Sequence, residues 1–211
     1  MLGDLWSFQG RYRTLHLTWI AFFLTFVVWF NLAPLATTVK ADLGLTVGQI
    51  RTVAICNVAL TIPARVLIGM LLDKFGPRIT YSSILVFSAI PCLLFASAQD
   101  FNQLVVARLL LSIVGAGFVI GIRMVAEWFP PKEIGLAEGI YGGWGNFGSA
   151  FSALTMVAFA GFLSFSGGFE LPTGAVLNWR GAIALTGIVS AVYGCFYFFN
   201  VTDTPPGKTY Q

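Results

Sequence analysis

Three polar residues lie at a constant spacing in an otherwise apolar stretch of the chain. Asn57, Thr61 and Arg65 follow one another every four residues, so in a helix they would share one face. No carboxylate lies within one turn of Arg65 on this face to pair with the guanidinium, which favours an anionic ligand. The alternative is a structural arginine that bonds to neighbouring carbonyl groups. Pro63 lacks the N–H that the carbonyl of Ala59 would accept, which predicts a bend in this helix.

A second candidate site is the glycine-rich segment Gly139-Ile-Tyr-Gly-Gly-Trp-Gly-Asn-Phe-Gly148. Bare glycine faces let two membrane helices approach closely, and helix packing alone is one interpretation of the segment. Asn146 favours a second interpretation, because its amide can donate to a small anion. Gly142, Gly143 and Gly145 would leave room for that anion beside the amide.

A third group of residues lies in the apolar segment that precedes these glycines. Arg108 and Arg123 are charged, and charge is costly in lipid, so we expect both to face a protein interior or a water-filled path. Phe118 lies near the middle of the segment and could stack on a planar ligand, although a core or lipid-facing position is the commoner one. Glu127 could pair with Arg123 one turn earlier, or with Arg78 across a loop, as a clamp or gate element.

The composition of the chain assigns these residues to a membrane protein. Of 211 residues, 57% are hydrophobic and only 10% are charged, with a mean hydropathy of +0.81. A soluble domain carries roughly a quarter charged residues. The net charge of +3 is too small for a nucleic-acid-binding surface. The sequence contains no nucleophile–base pair, metal-ligand cluster or phosphate-binding loop, so we expect neither an enzyme nor a bound metal or cofactor.

Six apolar runs are long enough to cross the membrane, which takes about 20 residues in a helix. The runs lack the alternation of barrel strands. The sequence therefore predicts an all-α polytopic membrane protein whose six-helix bundle covers residues 15–199. The predicted spans are about 15–35, 48–72, 79–98, 101–128, 136–163 and 181–199.

Basic residues near the ends of the spans predict the orientation of the bundle. One side holds Arg11, Arg13, Lys74, Arg78, Lys132 and Lys208, and the other holds Lys40, Arg51 and Arg180. The richer side is expected to be cytoplasmic. Residues 1–14 would then form a cytoplasmic N-terminus and residues 200–211 the start of a cytoplasmic linker. The polar tail stops without a capping element, so we expect the chain to be a fragment of a longer protein.

The loop between the second and third spans, Gly69-Met-Leu-Leu-Asp-Lys-Phe-Gly-Pro-Arg78, resembles the signature loop of the major facilitator superfamily. The matching positions are Gly69, Asp73, Lys74, Gly76 and Arg78. The resemblance implies that these residues form a conformational gate that pairs with neighbouring helices in one transport state. Glu127 is assigned to the same gate because of its possible ion pairs. Arg108 followed by Gly115 resembles the arginine–glycine pattern of the superfamily's fourth span, which makes Arg108 a structural arginine.

The segment Gly142-Gly-Trp-Gly-Asn-Phe-Gly148 resembles the nitrate signature of the nitrate/nitrite porter family. Pro63-Ala-Arg65, followed by Gly69, lies where that family has its nitrate-binding arginine. The resemblance covers the N-terminal six spans of a twelve-span fold. It implies that Arg65 binds the nitrate oxygens, that Asn146 and the glycines at 142, 143 and 145 lie close to the ion, and that Phe118 is a candidate for stacking on it.

The predicted function is secondary active transport of nitrate and/or nitrite across the cell membrane by alternating access. The predicted partners are the anion, the lipid bilayer and a second six-span half, or a second copy of this chain. Two alternatives stay open: a porter for another small anion or organic acid, and a non-transporting half-size membrane subunit. The sequence leaves open the coupling ion, the preference between nitrate and nitrite, and the role of Arg123.

Overall fold

The computed structural model describes residues 7–208, so the predicted N-terminus 1–14 and linker 200–211 lie partly outside the described residues. Within this range the protein is almost entirely helical. The α-helices are α1 (Gly10–Phe30), α2 (Ala36–Asp42), α3 (Val47–Ala59), α4 (Thr61–Phe87), α5 (Ala89–Ser97), α6 (Phe101–Ser112), α7 (Phe118–Trp128), α8 (Ile134–Phe162) and α9 (Trp179–Asn200). The 3-10 turns Ala33–Leu35, Ile113–Gly117 and Leu163–Ser166 link some of them. A two-stranded antiparallel hairpin, β1 (Phe169–Glu170) and β2 (Val176–Leu177), precedes α9.

Five helical stretches within residues 7–208 are long and apolar enough to cross a membrane. They are Gly10–Asp42, Val47–Ser97, Phe101–Trp128, Ile134–Ser166 and Trp179–Asn200. The second stretch has 51 residues and contains both the second and the third predicted spans. At about 1.5 Å per residue it is far longer than the hydrocarbon core of roughly 30 Å.

The chain reverses direction within this second stretch, at Gly76. Gly76 has φ 79° and ψ 166°, outside the helical region, and Pro77 follows it as the first residue of the second arm of α4. Arg108 contacts residues on both sides of the break: it donates to Asn57 Oδ1 over 3.2 Å and lies 4.5 Å from the ring centroid of Phe95. A straight helix would separate residues 57 and 95 by about 57 Å. The two arms of α4 therefore run side by side in opposite directions.

A second irregularity separates α3 from α4 and lies close to Arg65. Leu60, with φ −94° and ψ 3°, is the only residue between the two helices. Its N–H donates to the hydroxyl of Ser112 over 3.2 Å, and the hydroxyl of Thr61 donates to the carbonyl of Ser112 over 3.2 Å. The break lies just before Pro63, as expected from the missing N–H of that proline.

Arg108 on α6 is the centre of a buried polar network. It is 0% exposed and donates to Asn31 Oδ1 over 2.8 Å as well as to Asn57. Asn31 in turn donates to the hydroxyl of Thr186 over 2.9 Å. Asn57 exchanges two hydrogen bonds with the indole and the carbonyl of Trp29. The network connects α1, α3, α6 and α9 through neutral partners.

The buried apolar residues form two clusters, and α1 takes part in both of them. One cluster surrounds Phe22, Tyr81 and Tyr141, and the other surrounds Val28 and Trp179. Helices α8 and α9 also contribute to each cluster, so these three helices connect the two parts of the core.

The contact between α1 and α8 depends on two glycines. A Cβ at Gly145 would overlap the ring of Phe22, and a Cβ at Gly148 would overlap the carbonyl of Phe23. Since real side chains do not approach that closely, only glycine fits at these positions. The two backbones can therefore approach to a distance that larger residues would prevent.

We expect Gly145→Ala to destabilise the protein, because the added methyl group would displace the ring of Phe22. Overpacking of this kind costs about 1–3 kcal/mol. The melting temperature in detergent should fall by several degrees. The matched control is Gly48→Ala, where the new Cβ would have only an ordinary contact at 3.8 Å. Equal melting temperatures for the two variants would contradict the close approach of α1 and α8.

Candidate anion-binding site

Arg65 lies on the first arm of α4, one turn after Thr61, and is exposed. Within residues 7–208 its guanidinium has no hydrogen-bond or ion-pair partner. The residues around it on the same surface are apolar and exposed, with 77% exposure for Ile62, 64% for Val66 and 65% for Met70. The five N–H donors of a guanidinium are therefore presented on an apolar surface, where a planar anion could accept two of them.

The three polar residues predicted to share one helix face differ in their surroundings. Asn57 and Thr61 are used inside the bundle, by Trp29 and Ser112. Arg65, the last of the three, is left open to a partner outside residues 7–208.

Phe118 is the first residue of α7 and follows directly on the 3-10 turn Ile113–Gly117. Its side chain is half-buried. The ring centroid lies 5.3 Å from that of Phe22 and 6.2 Å from that of Tyr141, with the last two rings nearly parallel at 17°. One side of the Phe118 ring is thus supported by aromatic residues, and its remaining exposed area is available for a ligand.

Asn146 lies on α8 and is exposed. Its amide nitrogen donates to the carbonyl of Gly142, one turn earlier, over 2.7 Å. This bond uses one of the two amide hydrogens and leaves the other for a ligand. Within residues 7–208, no direct hydrogen bond joins Asn146 to Arg65.

The three candidate glycines of α8 lie on different sides of the helix. At Gly142 and Gly143 a Cβ would meet nothing within 4 Å, so these residues belong to an open face together with Asn146. Gly145 is buried against Phe22, and its role is to pack α8 on α1. The structure therefore assigns two of the three to the surface beside Asn146.

The predicted gate residues lie in and around the reversal at Gly76. Gly69 is open to a side chain, with nothing within 4 Å of a Cβ, and Asp73 is exposed. Lys74 lies 5.2 Å from the ring of Phe75, and the Arg78 guanidinium lies 4.3 Å from the ring of Phe198.

Glu127 on α7 has two basic partners. Arg123 lies one turn earlier, 3.2 Å from Glu127, and Lys208 lies 2.9 Å away. The first of the two pairings considered from the sequence is therefore present, and Glu127 does not pair with Arg78.

Asp203 contacts the turn at Gly76, and the sequence analysis did not identify it. Its carboxylate accepts a hydrogen bond from the backbone N–H of Arg78 over 2.7 Å, and so caps the start of the second arm of α4. A Cβ added at Gly76 would lie only 2.6 Å from Oδ1 of the same carboxylate, too close for a real side chain. Gly76 is thus required both by its positive φ and by this close approach.

Residues 201–208, predicted as the start of a linker, fold back over the turn. Besides the contacts of Asp203 and Lys208, the indole of Trp128 donates to the carbonyl of Thr202 over 3.2 Å. This segment connects the end of α9 to the turn at Gly76 and to the end of α7.

The arginines of the spans differ in how their charge is compensated. Arg108 has neutral hydrogen-bond partners only, and Arg65 has no partner within residues 7–208. Arg11 and Arg180, near helix ends, pair with Glu133 at 2.9 Å and Asp42 at 3.5 Å. Of these four arginines, the two near helix ends pair with carboxylates, and the two inside apolar segments, Arg65 and Arg108, have no carboxylate partner within residues 7–208.

A family profile and several named transporters match the chain. A profile of the Major Facilitator Superfamily matches residues 18–211. The chain is 64% identical, over its whole length, to the nitrate/nitrite transporter NrtP of Picosynechococcus sp., and 60% identical to NrtP of Nostoc punctiforme. It is also 31% identical, over 82% of its length, to the probable nitrate transporter NarT of Staphylococcus carnosus. It spans 42%, 41% and 41% of these three relatives.

A solved structure supports the fold. The inward-facing bacterial homolog of the human lysosomal transporter Spinster superimposes with a TM-score of 0.70 over 94% of this chain and 44% of its own, at 19% identity. The three sequence relatives are named as transporters rather than enzymes, which confirms the predicted absence of an enzymatic function. They also confirm the resemblance to nitrate/nitrite porters. The chain is a multi-pass membrane protein and belongs to the Major Facilitator Superfamily.

Proposed function

We propose that the chain is the N-terminal part of a secondary transporter that carries nitrate and/or nitrite across the cell membrane by alternating access. In this proposal Arg65 is the anion-binding residue of this half. The identities of 64% and 60% to proteins named as nitrate/nitrite transporters support the choice of substrate. The chain spans about two-fifths of their length. In this proposal the rest of the site comes from a second six-span half or from a second copy of this chain.

The observation that carries the proposal is the exposed guanidinium of Arg65, which lies on an apolar surface and has no partner within residues 7–208. A charge that faced the hydrocarbon core of the membrane would cost several kcal/mol. This surface must therefore face protein or a water-filled path in the complete molecule. A second six-span half, or a second copy of this chain, would cover it and enclose the anion between two halves that rock about the site.

The proposed chemistry matches nitrate in shape and charge. A guanidinium donates two parallel hydrogen bonds to a planar oxyanion. The Phe118 ring would cover the plane of the ion, and Asn146 would donate its remaining amide hydrogen beside the open face at Gly142 and Gly143.

The proposed topology has six membrane crossings. The 51-residue stretch Val47–Ser97 counts as two of them, since the reversal at Gly76 makes its arms antiparallel. Both ends of the chain then lie on one side, and the excess of basic residues there favours the cytoplasm. The turn at Gly76, residues 201–208 and Glu127 would form the cytoplasmic gate.

Arg65→Lys in the complete protein should raise the KM for nitrate about tenfold or more, because an ammonium group cannot form the bidentate pair. The measurement is uptake of labelled nitrate by cells that lack other nitrate transporters, corrected for the amount of protein in the membrane. Arg51→Lys, at an exposed arginine of α3, is the control and should leave KM unchanged.

Uptake with unchanged affinity in Arg65→Lys would show that Arg65 does not bind nitrate through two hydrogen bonds. If Arg65 is required but excess nitrate fails to compete with the transported anion, the protein carries a different small anion or organic acid.

Asp203→Ala should slow transport with little effect on affinity, because it removes the cap on the second arm of α4 and loosens the proposed gate. We expect Vmax to fall roughly two- to fivefold, in keeping with the loss of a helix cap, and KM to stay within about twofold. The matched control is Asp100→Ala, which removes a carboxylate cap of the same kind from Gln103 at the start of α6. Equal Vmax for the two variants would contradict a gating role for Asp203.

A further inference from the structure

Tyr141 is a buried residue of α8 that touches Phe118 in two ways. It is 0% exposed, and its hydroxyl donates to the carbonyl oxygen of Phe118 over 3.0 Å. Its ring is nearly parallel to that of Phe118 and, at 4.9 Å and 27°, stacks on Phe22. One side chain thus fixes both the backbone and the ring of Phe118.

The hydroxyl of Tyr141 also meets that of Tyr81, with 3.2 Å between the two oxygens. A phenolic hydroxyl has one hydrogen to donate. Since Tyr141 gives its hydrogen to Phe118, Tyr81 must be the donor in the bond between the tyrosines. Tyr81 therefore donates a hydrogen bond to Tyr141, and Tyr141 donates one to Phe118. The bond from Tyr141 to Phe118 does not need the hydroxyl of Tyr81.

The sequence around Phe118 is adapted to receive this tyrosine. Gly121 lies one turn after Phe118, and a Cβ there would overlap the ring of Tyr141. Because residue 121 is glycine, Tyr141 can come within hydrogen-bonding distance of Phe118. The receiving position is also a junction, because the 3-10 turn Ile113–Gly117 changes to α-helix at Phe118. Such junctions are common at functional hinges.

We propose that Tyr141 is a positioning residue that holds Phe118 in the orientation in which its ring meets the transported anion. This inference rests on the proposed function, in which Phe118 is part of the site. Tyr141 itself is closed off from the anion, since it is fully buried behind Phe118 and Phe22. Its effect on the anion would pass through the placement of the Phe118 ring.

The test is nitrate uptake by the complete protein carrying Tyr141→Phe, with KM and Vmax measured separately and protein in the membrane quantified. The ring stays and only the hydroxyl is lost, so folding should be preserved. We expect KM to rise about fivefold, the ratio that corresponds to one lost hydrogen bond, with Vmax per transporter close to that of the unmodified protein.

Tyr197→Phe is the matched control. Tyr197 is also 0% exposed, and its hydroxyl lies 3.1 Å from that of Thr18, so this variant removes a comparable buried hydrogen bond without touching Phe118. Its KM should be unchanged. Tyr81→Phe should also leave KM within about twofold, since Tyr141 keeps its own hydrogen for Phe118. Phe118→Ala removes the ring that is proposed to contact the anion, so it should raise KM at least as much as Tyr141→Phe does.

The outcomes separate the positioning role from the proposed function. An unchanged KM in Tyr141→Phe, beside a raised KM in Phe118→Ala, overturns the positioning role and leaves nitrate transport in place. An equal rise in Tyr141→Phe and Tyr197→Phe also overturns it, since the effect would then be general loosening of the core. If Phe118→Ala leaves KM unchanged, Phe118 is outside the site and the positioning role fails with it. If nitrate uptake by the unmodified protein does not saturate as the nitrate concentration rises, the proposed function itself is overturned.

Discussion

A fully buried guanidinium at Arg108 imposes the strongest constraint on the residues that the structure describes. Burying a charge at 0% exposure costs free energy, and each hydrogen bond to the guanidinium offsets part of that cost. The amide oxygens of Asn31 and Asn57 accept hydrogen bonds from its two terminal nitrogens, whereas its Nε has no partner among the described residues. Asn31 then needs Thr186 for its own amide hydrogen. Satisfying one side chain therefore fixes the relative heights of α1, α3, α6 and α9.

Arg108 and Arg65 differ in their surroundings, and this difference supports a structural role for Arg108 and the proposed anion-binding role for Arg65. Both occur in apolar segments, and neither pairs with a carboxylate within residues 7–208. Asn31 and Asn57 surround Arg108, whereas Arg65 emerges beside exposed Ile62 and Val66. Within residues 7–208 Arg65 forms no hydrogen bond or ion pair that could stabilise the fold. This is the physical reason to propose that the partner of Arg65 comes from outside these residues.

The sequence predicts the class of the fold well and the partners of individual residues poorly. The composition predicts a membrane protein, because so few charged residues cannot cover the surface of a soluble domain. The long apolar runs without alternation predict that the spans are helices. Local signals also served: Pro63 marks the break at Leu60, and Gly76-Pro77 marks the reversal. The contacts of Asp203 with Arg78 and of Tyr141 with Phe118 join residues far apart in sequence. The spacing of residues along the chain does not reveal such contacts, so the sequence does not identify Asp203 and Tyr141 as contact residues. The glycines at 142, 143 and 145 looked equivalent for the same reason, since only the ring of Phe22 distinguishes them.

The two faces of α8 suit the proposed motion. One face is locked, because Gly145 and Gly148 press it against α1 and Tyr141 bonds it to α7. The other face is bare at Gly142 and Gly143 and carries Asn146. A rocking transporter needs an anion-binding group that stays rigid with its own half while a smooth surface slides past its partner. If the bare face were instead locked and the packed face open, Asn146 would move relative to Phe118 and the proposed site would lose its geometry. The placement of glycines on both faces, with a bulky aromatic partner for only one of them, therefore favours movement between halves over movement within this half.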